Sequence, residues 1–257
     1  MTKLKLALAP FLVSQANSFH QAKYQRTMAP LGLLYLASHL EKLELPIEIL
    51  IHDNLDDIIH FKPDIVGIAS VSENFHQTQN FAKKLKNSFN PFIILGGAHF
   101  TSLPTFLPEC FDAGVVGEGE IILENIIRQF LKCSIGVESI REIPGVVTRK
   151  ENQLYYPGPQ ASIKNLNEIA LPNRKKWIKS LGVPHIMSSR GCIYHCFFCS
   201  EPTLFKSYRE ISAEKIVEEI EDILLHYPQT QHIRFYDDIF TINRKRFQKF
   251  CELIQQK

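Results

Sequence analysis

No stretch of this 257-residue sequence approaches the roughly 20 consecutive apolar residues of a membrane-spanning helix, so no membrane partner is expected. An excess of one charge is missing as well. The 29 Lys and Arg against 27 Asp and Glu leave a net charge of +2, and the longest basic cluster, NRKKW at 173–177, is short. That balance argues against nucleic acid as a partner. No secretion signal opens the chain, because Lys5 and Pro10 interrupt MTKLKLALAPFLVSQ and no small-residue cleavage site follows. The six cysteines lack the spread of a secreted disulfide framework: Cys192, Cys196 and Cys199 cluster, whereas Cys110, Cys133 and Cys251 are scattered and read as structural. A reducing cytoplasm is the expected compartment. No internal repeat or low-complexity tract is found, and a hydrophobic content of 45% suffices for the cores of one large or two modest domains.

What is present is an alternation. Short apolar runs at 4–10, 47–52, 64–70, 92–97 and 113–119 are separated by segments of helical period, among them PLGLLYLASHLEKL with Pro30 at its first turn. Near-continuous apolar strands alternating with helices predict a parallel sheet covered on both faces. Five such strands predict a flavodoxin-like, Rossmann-type α/β domain over residues 1–135. Residues 136–182 change character: IPGVVTRKENQLYYPGP reads as a hairpin around RKEN, and NLNEIALPNRKKW as an extended linker. From 183 to 257 the alternation resumes with the strand PHIMSSRGC, a helix over 213–227 capped by Ser212, the strand HIRFYDD and a final helix from about 243. Cys251 is expected in the core of that last helix, on the face of Phe247, Phe250 and Ile254.

The loop GCIYHCFFCS places three cysteines within eight positions. Three thiolates at the end of a strand suit a soft metal or an iron–sulfur cluster. Structural zinc sites pair two Cys-x-x-Cys knuckles, and no second pair lies downstream; His195 is too crowded inside the loop to complete a set. An iron–sulfur cluster with one iron left open is the better reading, with zinc or a redox cluster as the alternative.

The same residues resemble the signature of the radical S-adenosylmethionine (radical SAM) enzymes: Cys-x3-Cys-x2-Cys, with the aromatic Phe198 just before the last cysteine. The resemblance implies that Cys192, Cys196 and Cys199 bind three irons of a 4Fe-4S cluster. It implies further that SAM occupies the fourth iron, that Phe198 packs near the adenine, and that an external electron donor of flavodoxin or ferredoxin type serves the cluster. Gly191 would let the chain turn into the loop. Many members carry Gly-Gly-Glu after the next strand. This chain has Asp237 and Asp238 there, as in members that also bind cobalamin, so one of them holds SAM or substrate, or both merely start a helix.

APLGLLYLASHLEK, DIVGIASVS, FIILGGAH and GVVGEGE, in that order, are similar to the cobalamin-binding domain that precedes the barrel in one group of the family. The strand ends carry small residues, Ser70 and Ser72, Gly96 and Gly97, then Gly117, which would let a bulky flat ligand approach the sheet; these, with Glu118 beside Gly117, are the expected cofactor-binding residues of this domain. The other possibility is a set of tight turns that binds nothing. Glu118 and Glu120 also suit the N-terminus of the following helix through its dipole. The Asp-x-His-x-x-Gly motif that supplies a cobalt ligand in other cobalamin proteins is absent; His20 and His99 are the nearest candidates for a local role.

The resemblance implies a cobalamin-dependent enzyme that cleaves SAM reductively to a 5′-deoxyadenosyl radical, with methyl transfer to an unactivated carbon of an unidentified small-molecule or peptide substrate. Radical cyclisation or rearrangement without methyl transfer is the nearest alternative, and a non-catalytic cobalamin or iron–sulfur module is the rival from another class. After the cysteine loop only one further strand and two helices are found. The chain therefore reads as the first βα units of a partial TIM-type barrel, truncated within it.

Overall fold

The structure is a computed structural model, describing residues 3–10, 29–151, 153–177 and 183–257. His20 lies outside them. Its organising feature is a seven-stranded sheet of order β2-β1-β3-β4-β5-β6-β7. The five predicted apolar runs become β1 (Leu4–Ala9), β2 (Ile47–Ile51), β3 (Ile65–Ala69), β4 (Phe92–Gly96) and β5 (Ala113–Val115), all parallel. Between them run α1 (Leu31–Lys42), α2 (Leu55–Phe61), α3 (Phe75–Phe89) and the short α4 (Ala98–Ser102), and α5 (Gly119–Lys132) follows β5. The order 2-1-3-4-5 is the flavodoxin-type winding.

Strand alternation divides the core into two layers. Leu6 and Leu8 of β1 point to one face, where they pack with Leu34 and Leu40 of α1 and Ile126 of α5. Ala7 and Ala9 point to the other, among Ile58 of α2, Leu85 of α3 and Phe100 of α4. Both faces are dry, which is why these strands read as continuous apolar runs.

A short helix α6 (Val137–Ile140) leads to the hairpin, β6 (Val146–Lys150) and β7 (Gln153–Tyr155). It continues the sheet, with β6 antiparallel to β5 through pairs such as Gly114↔Val147. The linker that follows is docked. The Asn173 backbone N–H donates to Ser38 Oγ of α1 at 2.8 Å, Lys176 pairs with Glu41 at 2.6 Å, and the single tryptophan, Trp177, is buried in the first core layer.

In the C-terminal part β8 (His185–Ile186) pairs parallel with β11 (Arg234–Phe235), and α8 (Ala213–His226) runs between them, a βαβ unit. β9 (Ser189–Arg190) pairs antiparallel with β10 (Arg209–Glu210); the short α7 (Glu201–Leu204) lies between them. The expected single strand over PHIMSSRGC is therefore two short pieces, because Asp237 binds the chain at Ser188 and Ser189 and turns it. Ser212 caps α8 as predicted, accepting from Lys215 N at 3.2 Å. The final helix, α9 (Arg244–Gln255), corrects the expectation for Cys251. Cys251 is half-buried, Ile254 is exposed, and Arg246 is the helix's buried residue; the helix packs on α8, and its Phe250 ring meets Phe235 and Phe240 edge to face.

Candidate functional site

The strand ends of the sheet form a shallow cradle. Ser70, after β3, is buried; its backbone N–H donates to Gly96 O at 3.0 Å and its carbonyl accepts from His99 N at 3.1 Å. Gly97 crosses directly above it with φ 93°. A Cβ there would stand 2.6 Å from Ser70 O, so glycine is required by the fold itself. Gly96 and Gly117 differ, since a Cβ at either would meet no heavy atom of the described residues within 4 Å. Open space beside two backbones at adjacent strand ends fits a bulky flat ligand.

The rim of the cradle was less legible in the sequence. Ser72 Oγ lies 2.9 Å from His99 Nδ1, and the His99 ring lies over Phe75 with centroids 3.8 Å apart. Partial burial lowers the His99 pKa, favouring the neutral imidazole. Phe106 contacts Phe75 edge-on and, with Leu103, stays more than half exposed, an apolar shoulder next to the glycines. Helical period places Phe75 in the core; its ring contact with His99 depends on two loops meeting.

The cysteine loop leaves β9 at Gly191, whose φ is 80° and whose missing Cβ would collide with Ser207 O at 2.6 Å. Cys192 is half-buried, Cys196 and Cys199 are exposed, and all three are free thiols. Cys199 N donates to Cys196 O at 3.0 Å, closing a turn. Phe197 and Phe198 are almost fully exposed and pack edge to face. Among the described residues no three His, Cys, Asp or Glu side chains are gathered as a metal site would hold them. The donor set, three free thiols on one short loop, fits an iron–sulfur cluster.

The two aspartates after β11 have separate surroundings. Asp237 accepts from Ser188 N at 3.1 Å, from Ser188 Oγ at 2.8 Å and from Ser189 Oγ, so its carboxylate shapes the turn before the loop. Asp238 is hydrogen-bonded to Glu201, just beyond the last cysteine; burial and the Asp238 charge push the Glu201 carboxyl up to about 7. Neither caps α9, where Asn243 accepts from Arg246 N.

Glu118 occupies the N-cap position of α5 without making a cap hydrogen bond. Its carboxylate accepts from Arg190 at 2.6 Å, from Arg209 at 2.8 Å and from Ile163 N at 3.2 Å. Burial alone would raise its pKa, but the hydrogen bonds and charges of Arg209 and Arg190 hold it below the ordinary value. Glu120 accepts from the other arm of Arg190 at 2.5 Å. The dipole role expected for these two residues is thus secondary to a buried ion-pair cluster that joins the sheet domain to β9.

A flavodoxin-type sheet with a glycine cradle at its strand ends is joined here to a βαβ unit that opens into a three-cysteine loop. Residues 20–127 match the B12 binding domain family. The chain is 35% identical over 240 residues to an uncharacterized methyltransferase, PH0819, of Pyrococcus horikoshii, covering 86% of this chain and 51% of that protein. It is 28% identical over 213 residues to the anaerobic magnesium-protoporphyrin IX monomethyl ester cyclase of Cereibacter sphaeroides, covering 78% of this chain and 34% of the other. The fold matches that of the radical S-adenosylmethionine methyltransferase TsrM of Kitasatospora setae, solved with cobalamin and a [4Fe-4S] cluster bound. The TM-score is 0.73 at 16% identity, over 99% of this chain and 51% of that one. The B12 binding domain match thus covers residues 20–127, and nearly the whole chain shares its fold with the TsrM structure. The chain spans about half the length, or less, of these relatives. Among the described residues no helix is long and apolar enough to cross a membrane.

Proposed function

We propose that this chain is the cofactor-holding part of a cobalamin-dependent radical SAM enzyme that works in the cytoplasm on a small-molecule or peptide substrate. The observation that carries the reading is the direct link between the two candidate sites. Glu118 follows Gly117 of the cradle, and its partner Arg190 stands two positions before Cys192. Cys192, Cys196 and Cys199 would hold three irons of a 4Fe-4S cluster. Ser72, Gly96, Gly97 and Gly117 would line the cobalamin site, with Ser70 supporting Gly97 from below. When bound, the cluster supplies an electron to SAM, SAM supplies the adenosyl and methyl groups, and cobalamin serves as methyl carrier.

The chain's own residues would bind and orient these groups. Gly191 would turn the chain into the cysteine loop, Phe198 would offer a ring to the adenine, and Asp238 would hold the SAM amino group. Asp237 keeps the preceding turn in place. A flavodoxin- or ferredoxin-type protein would deliver the electron.

Methyl transfer is favoured by the 35% identity to a protein named a methyltransferase. A second reading, cyclisation without methyl transfer, is supported by the cyclase relative at 28% identity. Anaerobic reconstitution of the chain with iron, sulfide and hydroxocobalamin should load about four irons and one cobalamin. Replacing Cys192, Cys196 or Cys199 by Ala should abolish the iron. Stoichiometric zinc without iron in anaerobically purified protein refutes the cluster. SAM with a labelled methyl group separates the two readings: label enters the product in one and does not in the other.

A further inference from the structure

Four charged side chains are left over by the proposed chemistry. Glu118 and Glu120 begin α5 directly after Gly117 of the cradle, and Arg190 ends β9, directly before Gly191 and the cysteine loop. Arg209, in β10, is the register partner of Arg190 across the β9–β10 pair. Their side chains are 8%, 4%, 11% and 9% exposed, so two negative and two positive charges neutralise one another almost out of water.

The geometry is specific. Arg190 forks, with Nη1 donating to Glu118 at 2.6 Å and Nη2 to Glu120 at 2.5 Å. Arg209 Nη1 reaches both Glu118 oxygens, at 3.0 and 2.8 Å, and also the Ile163 carbonyl at 2.6 Å. The Arg190 guanidinium further lies 5.8 Å from the ring centre of Tyr35 on α1. A planar guanidinium that forks onto two carboxylates fixes both distance and orientation, whereas an ammonium would fix neither.

Buried ion pairs are poor sources of stability compared with apolar packing of the same volume, but a shift in their register leaves a buried charge alone, which is strongly unfavourable. An apolar contact at this place could slide at little cost. The charged one cannot.

We propose that Arg190 and Arg209, gripping Glu118 and Glu120, are positioning residues that set the distance and orientation between the cysteine loop and the glycine cradle. They thereby hold the two cofactors of the proposed enzyme in register. The inference rests on that functional reading, and none of the four side chains is assigned a contact with cofactor or substrate.

The test uses the full chain as wild type, Arg190→Lys, Arg209→Gln and the double variant Glu118→Gln/Arg209→Gln, which removes one charge of each sign and guards against simple unfolding. Amide exchange is measured without cofactors over 113–121 and 187–192. Each single variant should speed exchange in both segments together, roughly tenfold or more, with the double variant no faster than the worse single one. After reconstitution with iron, sulfide and hydroxocobalamin, Arg190→Lys should retain cofactor content within about twofold. It should nevertheless change the magnetic relaxation between cob(II)alamin and the reduced cluster several-fold, since Lys keeps the charge but loses the fork. Faster exchange confined to one segment overturns the proposal, as does unchanged magnetic coupling in variants with full cofactor content. Failure of the wild type to bind cluster or cobalamin refutes the functional reading instead, and the cofactor-free exchange then decides whether the clamp exists.

Discussion

Gly96 and Gly97 are neighbours in sequence and look interchangeable there, but substituting them should have opposite consequences. Gly97 has φ 93° and ψ −178°, a region essentially restricted to glycine. Alanine there would cost about 1–3 kcal/mol in backbone strain, and its Cβ would sit 2.6 Å from Ser70 O, a contact that must displace β3 or β4. A total of about 3 kcal/mol or more corresponds to a fall in Tm of roughly 6–12 °C for a chain of this size. Gly96 is in the strand, and a Cβ there meets no heavy atom of the described residues within 4 Å. Gly96→Val should therefore leave Tm within about 2 °C of wild type, a change within roughly 0.5 kcal/mol. It should also weaken cobalamin binding at least about tenfold, or about 1.4 kcal/mol, by filling the cradle. Thermal unfolding and a cobalamin titration followed by visible absorbance give both quantities. Gly96→Val with unaltered cobalamin affinity would refute the cradle as the binding site; Gly97→Ala with unaltered Tm would refute the close approach to Ser70.

Three further outcomes are expected. His185 is buried and its pKa is depressed to about 4 by burial and then by the Arg174 charge. The unfolded chain takes up this proton below about 6.5 and the folded chain does not, so stability should fall as pH drops from about 6.5 toward about 4, by up to about 3 kcal/mol, and His185→Phe should flatten that part of the profile in urea titrations. Arg174 and Glu219 form a buried pair, 2% and 0% exposed, so Glu219→Ala, which strands the arginine, should cost about 3–5 kcal/mol in the same assay, whereas replacing both by apolar residues should cost much less. On α8, Ile223→Ala should cost about 2–5 kcal/mol because Ile223 is fully buried, while Leu225→Gln, at a position 76% exposed, should stay within about 0.5 kcal/mol; equal costs would show that α8 is packed the other way round.

The features legible in the sequence are those with a local cause. Five apolar runs declare five strands because the sheet is covered on both faces, although the edge strand β2 is only partly buried, and Ser212 declares the start of α8 because a cap needs only its own next turn. The cysteine triplet is equally local, since its spacing is its chemistry. Cys251 was misplaced for the complementary reason. Its helix has an apolar period, but burial of that face depends on neighbours, and α8 together with the Phe235 and Phe240 rings leaves Cys251 half-buried.

The sequence alone therefore determined most of the elements, their alternation and the two clusters of residues, the cysteine triplet and the glycines at the strand ends, on which the proposed function rests. Tertiary structure decided which of these meet. It added the hairpin to β5 across some thirty residues and split the strand before the cysteines by bringing Asp237 to Ser188 from 49 positions away. It also assigned Glu118 and Glu120 to arginines 70 and more positions downstream rather than to the end of their own helix. Hydrophobic period and loop spacing are written along the chain, whereas the choice of partner for a buried charge is made only when two surfaces dock, because any carboxylate would satisfy any guanidinium until packing brings one particular pair within 3 Å and excludes water from it.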